Sequence, residues 1–422
     1  MRYITASFYQ TTLIPIMRDF ELFQLALGLQ KPWFVSSSSF DAKKKRLDIR
    51  IDFSPGSTFC CPECGRSNLK AYDTSESTWR HLNFFQHEAY LTARVPRVSC
   101  PECGILKLKS LPWSRAESGF TLLFEAMIMV MAKSMPVNTI ASIIGEHDTR
   151  IWRIINHYVE QSRKQEDYSE VTIVGVDETA SKRGHHYVSV FVDLAVSKVL
   201  FATEGKDAKT VKRFHDDLVV HHGEASNITE FCSDMSPAFI KGVTDNFANA
   251  HLTFDKFHIM QVINKAVDEV RRQEQNERPE LIKTRYIWLK NPQNLKVSQR
   301  NTLERLSLSK LNLKTARAYR MRLAFQDFFT QPAEAAELLL KKWYYWATHS
   351  RLQPMKEAAY TIKRHWSGIL RWFISRINNG ILEGINSLIQ AAKARARGYR
   401  TSKNLISMIY LIAGKLNFDL PT

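Results

Sequence analysis

No apolar run in this 422-residue chain is long enough to cross a bilayer. The longest, residues 120–132, is interrupted by Glu125. No secretory signal is evident at the N-terminus, so a cytoplasmic protein without membrane contact is expected. Cysteine is scarce. Of the six, Cys60, Cys61, Cys64, Cys100, Cys103 and Cys232, four fall in Cys-x-x-Cys pairs, which inside a cell means metal sooner than disulfides. Acidic residues are outnumbered, 42 Asp and Glu against 59 Lys and Arg, for a formal charge of +17. A chain this basic usually meets a polyanion, because each neutralised phosphate releases condensed counterions. A solvated basic surface is the plainer alternative.

The clearest local signal is a repeat. Cys61-Pro62-Glu63-Cys64-Gly65 returns as Cys100-Pro101-Glu102-Cys103-Gly104, with 35 residues between Cys64 and Cys100. In each unit two thiolates project from a tight turn, and the glycine relieves the backbone where its amides face sulfur. The pair predicts one structural Zn²⁺ held by four cysteines. Cys60 and Cys232 read as ordinary small residues. Around the pair, residues 19–27 read as a helix, residues 36–39 as a serine loop, and residues 47–53 and 90–98 as strands.

From residue 118 the apolar period becomes helical. One stripe runs from Phe120 to Met131, a second helix spans residues 137–144, and a third begins near Asp148 after Gly145. Two helices joined by a short glycine turn fit a helix-turn-helix, and the third would turn Thr149, Arg150, Arg153 and His157 outward toward DNA. A plain helical bundle has the same pattern. The neighbouring cysteine units and the net charge favour DNA.

Beyond residue 170 the order is strands at 171–176, 187–194 and 198–203, a helix at 210–222, a strand at 227–232, a helix at 237–246 and a strand at 251–254. This β-β-β-α-β-α-β order is that of a ribonuclease-H-like domain. Asp177 and Asp234 end the first and fourth strands, which lie side by side in that fold despite their 57-residue separation. A helix-rich stretch, residues 259–365, carries Arg271, Arg272, Trp288, Trp343 and Trp346. Read as an insertion, it lets Glu383, 149 residues after Asp234, return to the same edge. Three such carboxylates can hold two divalent cations about 4 Å apart, an arrangement that cleaves and joins phosphodiesters. Mg²⁺ (or Mn²⁺) suits an all-oxygen site better than zinc does. Glu178 is expected to be an exposed neighbour facing away from Asp177. Asp255 and His258 are read either as a pair that positions the phosphate or Asp234, or as a strand-end acid and a satisfied histidine. Lys393, Arg395, Arg397, Arg400 and Lys403, with Tyr399, form a basic face suited to a DNA backbone; a solvated helix end is the alternative.

These residues in this order resemble a bacterial insertion-sequence transposase of the ISL-three family, one of the DDE transposases. The resemblance runs from about Asp19 to Leu416. It is carried by Leu27-Gly28-Leu29 with Pro32-Trp33, the two cysteine units, Gly175-Val176-Asp177-Glu178, Asp234-Met235-Ser236-Pro237, Phe254-Asp255-Lys256-Phe257-His258, and residues 380–386 followed by Gly398-Tyr399-Arg400. It implies that Asp177, Asp234 and Glu383 are the catalytic triad, that Asp255 and His258 are an Asp-x-x-His motif, and that the protein binds the inverted repeats of a mobile element. The partners implied are double-stranded DNA, both element ends and target, and further copies of the chain in a homodimer or larger assembly. Residues 1–17 match nothing in the family and are expected to be a disordered extension. The expected organisation is multidomain α/β: a zinc-ribbon-like module (18–115), a helix-turn-helix (116–168), a ribonuclease-H-like core (169–258), an all-α insertion (259–367) and the core's completion (368–422). A nuclease that does not transpose, and a DNA-binding relic of such an enzyme, are the rival readings.

Overall fold

A computed structural model describes residues 18–182, 184, 186–308, 311–377 and 380–421. The expectation for residues 1–17 lies outside that range. The chain forms two compact units, one built on the N-terminal sheet with residues to 135 and 140–154, the other on residues 136–139 and 155–418. No helix among the described residues is long and apolar enough to cross a membrane.

The first unit opens with α1 (Asp19–Ala26), β1 (Trp33–Asp41), β2 (Arg46–Phe53), β3 (Thr58–Phe59), β4 (Leu69–Phe84), β5 (His87–Cys100) and β6 (Gly104–Lys107). The strands form one sheet in the order β1-β2-β5-β4-β3, with β6 on the end of β5. Its apolar face buries Ile49, Leu91 and Val95 beside three tryptophans. Trp113 meets Trp33 at 5.0 Å and Trp79 at 5.6 Å, both edge to face. The serine run proves to be strand, not loop. Residues 37–39 pair with Arg50, Ile49 and Asp48 of β2, and Ser36 sits at a bulge with its hydroxyl on the Arg50 carbonyl. Pairing to a buried neighbour overrides serine's weak strand preference.

Three helices follow: α2 (Leu122–Ala132), α3 (Val137–Ile144) and α4 (Asp148–Arg163). The first begins later than its apolar stripe because Thr121 caps it, accepting from the Phe124 amide. Glu125, the charge inside the long apolar run, is fully buried and held by Arg115 at 2.9 Å and Ser118 at 2.7 Å. Gly145 makes the turn into α4 at φ +71°, where a side chain would be strained.

The second unit carries β7 (Ile173–Ala180), β8 (Tyr187–Asp193), β9 (Lys198–Glu204), α5 (Ala208–Val220), β10 (Glu230–Ser233), α6 (Pro237–Asn246) and β11 (His251–Phe254). The sheet order is β11-β10-β7-β8-β9. The first three of these strands in sequence are antiparallel, and β10 and β11 run parallel to β7. This is the ribonuclease-H-like arrangement. Its core stacks Phe191 on Phe214 at 4.5 Å, with Phe231 and Phe247 beside them.

The helical region comprises α7 (Lys256–Glu274), α8 (Arg285–Leu289), α9 (Val297–Leu306), α10 (Lys314–Phe328), α11 (Ala333–Thr348), α12 (Gln353–Arg364) and α13 (Trp366–Ser375). Buried Glu274 of α7 accepts from the amides of Lys314 and Thr315 and from the Thr315 hydroxyl, each at 2.7 Å, and so caps α10 from another helix. The chain returns to the sheet through α13. Gly368 lies so close to Phe254 that a Cβ there would stand 2.4 Å from its ring. Arg371 forks onto Glu230 of β10, with Nε 3.0 Å from Oε1. Helices α14 (Gly380–Ala396) and α15 (Ser402–Ala413) complete the unit, and the Tyr410 hydroxyl accepts from the Ala202 amide of β9 at 2.9 Å.

Candidate active site and metal centres

Sheet register places the first two carboxylates side by side. Phe231 is level with Val174 and Cys232 with Gly175, so Asp234, two residues on, is level with Asp177. On the other side Ser233 is level with Phe254, and the Asp255 amide donates to the Ser233 carbonyl. Asp234 and Asp255 thus directly follow the ends of β10 and β11, the two strands that run parallel beside β7, which carries Asp177. The first strand does not stop at Asp177, as the apolar run suggested. It continues to Ala180 because β8 pairs with it through Tyr187.

The Asp177 carboxyl is pushed above the usual carboxylate range. Burial is the main cause, and the charges of Asp234 and Asp255 add to it while His258 opposes. Its Oδ1 accepts from the Glu178 amide at 2.7 Å, and its Oδ2 accepts from Asn386 Nδ2 at 2.5 Å. Glu178 is half-buried, not exposed as expected. Burial raises its pKa, and Lys206 at 3.5 Å offsets part of this. Asp234 Oδ1 accepts from the Ser236 amide at 2.9 Å. Asp255 is buried, caps α7 through the Phe257 amide at 2.9 Å and faces His258 Nε2 at 3.6 Å. Asp255 therefore follows the strand end and stands beside the histidine.

Glu383 arrives on α14, which is laced along β7. Leu382 lies over Gly175, where a Cβ would stand 2.9 Å from its methyl. Asn386 holds Asp177, Gln390 donates to Thr179 Oγ1 at 2.7 Å, and Lys393 donates to the Ala180 carbonyl. Steps of three or four residues on the helix match steps of one or two on the strand. Glu383 is exposed, one residue round the helix from Leu382, and lines a cleft with Asp255 and Lys256. Asp234 lines a second cleft with His258, Lys265 and Arg272. The sequence reading missed Asn386, although its three-residue spacing from Glu383 put it on the same side of a helix.

The cysteine units do meet. The sulfurs of Cys61, Cys64, Cys100 and Cys103 all lie within 4.8 Å of one another, with Cys64 and Cys100 3.6 Å apart. Gly65 and Gly104 have φ of +73° and +80°. The Cys61 thiol is lowered to about 7 by the amides of Cys64 and Glu63. Cys103 is pushed up to about 12, first by Cys64 and then by burial and the remaining sulfurs. Four thiols so placed can all ionise only around a cation, and a closed set of four sulfurs suits a tetrahedral thiophilic ion. Arg66 of the first turn bonds Glu102 of the second at 2.5 Å. Cys60 and Cys232 stand outside the cluster.

A family model described as a transposase, of the DDE type, matches residues 174–409, more than half of the chain. The chain belongs to the ISL3 family of transposases. Residues 110–159 of the transposase match the family's helix-turn-helix domain, and residues 57–103 match the zinc-finger of transposases IS204, IS1001, IS1096 and IS1165. Similar proteins include the transposase for insertion sequence element IS1557 of Mycobacterium tuberculosis, 25% identical over 94% of this chain and 96% of its own. The transposase for insertion sequence element IS1001 of Bordetella parapertussis is 27% identical over 81% of this chain and 85% of its own.

The transposase presents its expected DNA-binding residues unevenly. Thr149 and Arg153 are exposed on α4, whereas Arg150 is turned back onto Glu146 at 2.5 Å and the Phe120 ring at 4.2 Å. Arg271 is not a surface residue. It is buried and bonded to Asp268, Gln275 and the Leu281 carbonyl, so it braces the helical region. Arg272 is exposed. Trp288 and Trp343 are buried core, and Trp346 is exposed. Past Glu383, Lys393 is spent on β7, Lys403 pairs with Glu160 at 3.0 Å, and Arg395, Arg397 and Arg400 face solvent.

Proposed function

We propose that this transposase binds the terminal inverted repeats of its own element and cuts and joins DNA strands at a site formed by Asp177, Asp234 and Glu383. The observation that carries this reading is the register that sets Asp177 level with Asp234, together with the Asn386 bond that fastens the Glu383 helix to Asp177. Burial first, and then the charges of Asp234 and Asp255, oppose ionisation of Asp177, and an all-carboxylate set of this kind suits Mg²⁺ or Mn²⁺. Such ions, when bound, supply an activated water or 3′-hydroxyl and neutralise the leaving oxygen. Asp177, held at both oxygens, fixes where the cations bind. Asp234 completes the pair from the next strand. Glu383, exposed and beside the cleft, closes the set from the helix. His258 stands against Asp255 at the head of α7, where it can orient Asp234 or the bound phosphate.

End recognition is assigned to residues 116–168, with Thr149 and Arg153 of α4 turned to the groove and Arg150 bracing the helix. The four cysteines hold a structural zinc within residues 18–115. Arg272, Arg395, Arg397 and Arg400 supply backbone contacts. An element has two ends, so we infer a homodimer or larger assembly on DNA. The test is cleavage, with Mg²⁺ present, of DNA carrying the element's ends. Asp177→Asn should bind the ends normally and cut at least about 1,000-fold more slowly, a loss of roughly 4 kcal/mol in barrier lowering. Near-normal cutting by Asp177→Asn or Glu383→Gln would place the chemistry elsewhere.

A further inference from the structure

We propose that the cleft beside Glu383 is an anion subsite that takes a DNA backbone phosphate adjoining the bond to be cut, with Arg322, Lys256 and Arg376 as its cations. The proposal rests on the reading of Asp177, Asp234 and Glu383 as the reacting centre. The cleft encloses about 670 Å³, and Asp255 and Glu383 are the acids on its wall.

Arg322 is the decisive residue. It is 2% exposed, yet no carboxylate neutralises it among the described residues. Its Nε donates to Asn264 Oδ1 at 2.7 Å, and its Nη2 donates to the Leu289 carbonyl at 2.9 Å and to Asn291 Oδ1 at 3.3 Å. All three partners are neutral and line the same cleft. Nη1 has no hydrogen-bond partner, and neither has Gln326 Oε1 one turn further along the wall. A buried, uncompensated guanidinium is expensive. Here a neutral frame takes Nε and Nη2 and leaves only the Nη1 hydrogens unspent at the cleft wall, donors suited to a phosphate oxygen.

The other two cations have little else to do. Lys256 sits at the first position of α7, directly after Asp255, and its Nζ lies 5.6 Å from the Trp372 ring. Arg376 ends α13 in the left-handed region at φ +50° and stacks over Trp372 at 5.1 Å. Neither side chain makes a hydrogen bond or ion pair among the described residues. Aromatic rings thus steady both cations, Trp372 beside each and Phe329 5.0 Å from Lys256 Nζ, while buried Nη1 of Arg322 lies in the same cleft wall. A water bridging Arg322 to Gln326 is the competing account.

The experiment uses the full-length chain carrying Asp177→Asn, so that binding is read without cutting. Two duplexes are compared, one crossing the cleavage point and one ending inside the element. On the crossing duplex, Arg322→Gln should weaken binding about tenfold. Lys256→Gln and Arg376→Gln should each weaken it several-fold and flatten the log–log salt slope by about 1. The inner duplex should bind all variants alike. Unchanged affinity and slope on the crossing duplex, or equal losses on both, would overturn the proposal. Should Arg322→Gln melt well below its parent, Lys256→Gln and Arg376→Gln decide the matter, since neither residue braces the fold. Failure of the catalytic reading would register separately, as normal cutting by Asp177→Asn alone.

Discussion

Cys61, Cys64, Cys100 and Cys103 come from two copies of one five-residue turn, and their sulfurs all lie within 4.8 Å. Asp177, Asp234 and Glu383 come from two strands and a helix, and their carboxylates make no cluster that tight among the described residues. Each turn carries its own amides to its own sulfurs, and one sheet brings the turns together. The carboxylates depend on parallel register, on α13 being fastened to β10, and on α14 being laced along β7. A structural centre can be closed and local. A centre that must admit DNA is open, and its geometry is borrowed from elements far apart in the chain.

Metal removal should separate the two regions most sharply. Purified protein should contain one zinc per chain, and Cys100→Ser or a strong chelator should unfold the N-terminal sheet, since structural zinc contributes roughly 10 kcal/mol to such modules. Melting followed by tryptophan fluorescence should then show the second unit intact. A chelated protein with both transitions unchanged would mean the cluster is ornamental to the fold. Arg371→Ala attacks the other region. It strands Glu230 and should cost about 3 kcal/mol in the second unit, leaving the zinc content alone. A purely local carboxylate site would keep its cleavage rate in that variant; this one should lose most of it.

Much of this contrast was legible in the sequence. The cysteine turns are identical, so their partnership could be read directly. Helices bounded by strong punctuation were legible too: Pro237 and Gly145 mark the ends of α6 and α3 as found. What escaped reading was set by pairing. The strand Leu69–Phe84 alternates polar residues and shows no apolar face to a reader, yet it pairs with β5 along most of its length. The serines of β1 became strand for the same reason. Arg271 looked like a DNA contact because charge was counted without its neighbours, although Asp268 and Gln275 stand three and four residues away on the same face. Asn386 and Arg322 were illegible because their partners lie 209 and 58 residues off.

Smaller effects sharpen the account at Asp177. Asn386→Ala removes the amide that holds its Oδ2, and cleavage should fall about tenfold with end binding unchanged. Equal losses in both would make Asn386 a general packing residue. The raised pKa of Asp177 gives a pH signature. Because its folded pKa lies above the unfolded one, its ionisation opposes folding. That penalty is absent below the ordinary carboxylate range, grows as pH rises and is complete above the folded value. Asp177→Asn in metal-free buffer should therefore gain stability over the parent as pH rises through that window, read by denaturant unfolding. A gain that grows instead as pH falls would reverse the assigned cause.

The most direct test of the carboxylate site is anomalous scattering from Mn²⁺ in crystals of the full-length protein bound to a duplex carrying one element end. The account predicts two peaks about 4 Å apart, bounded by Asp177, Asp234 and Glu383. Peaks held by Asp255 in place of Glu383, or no peak at Asp177, would contradict it.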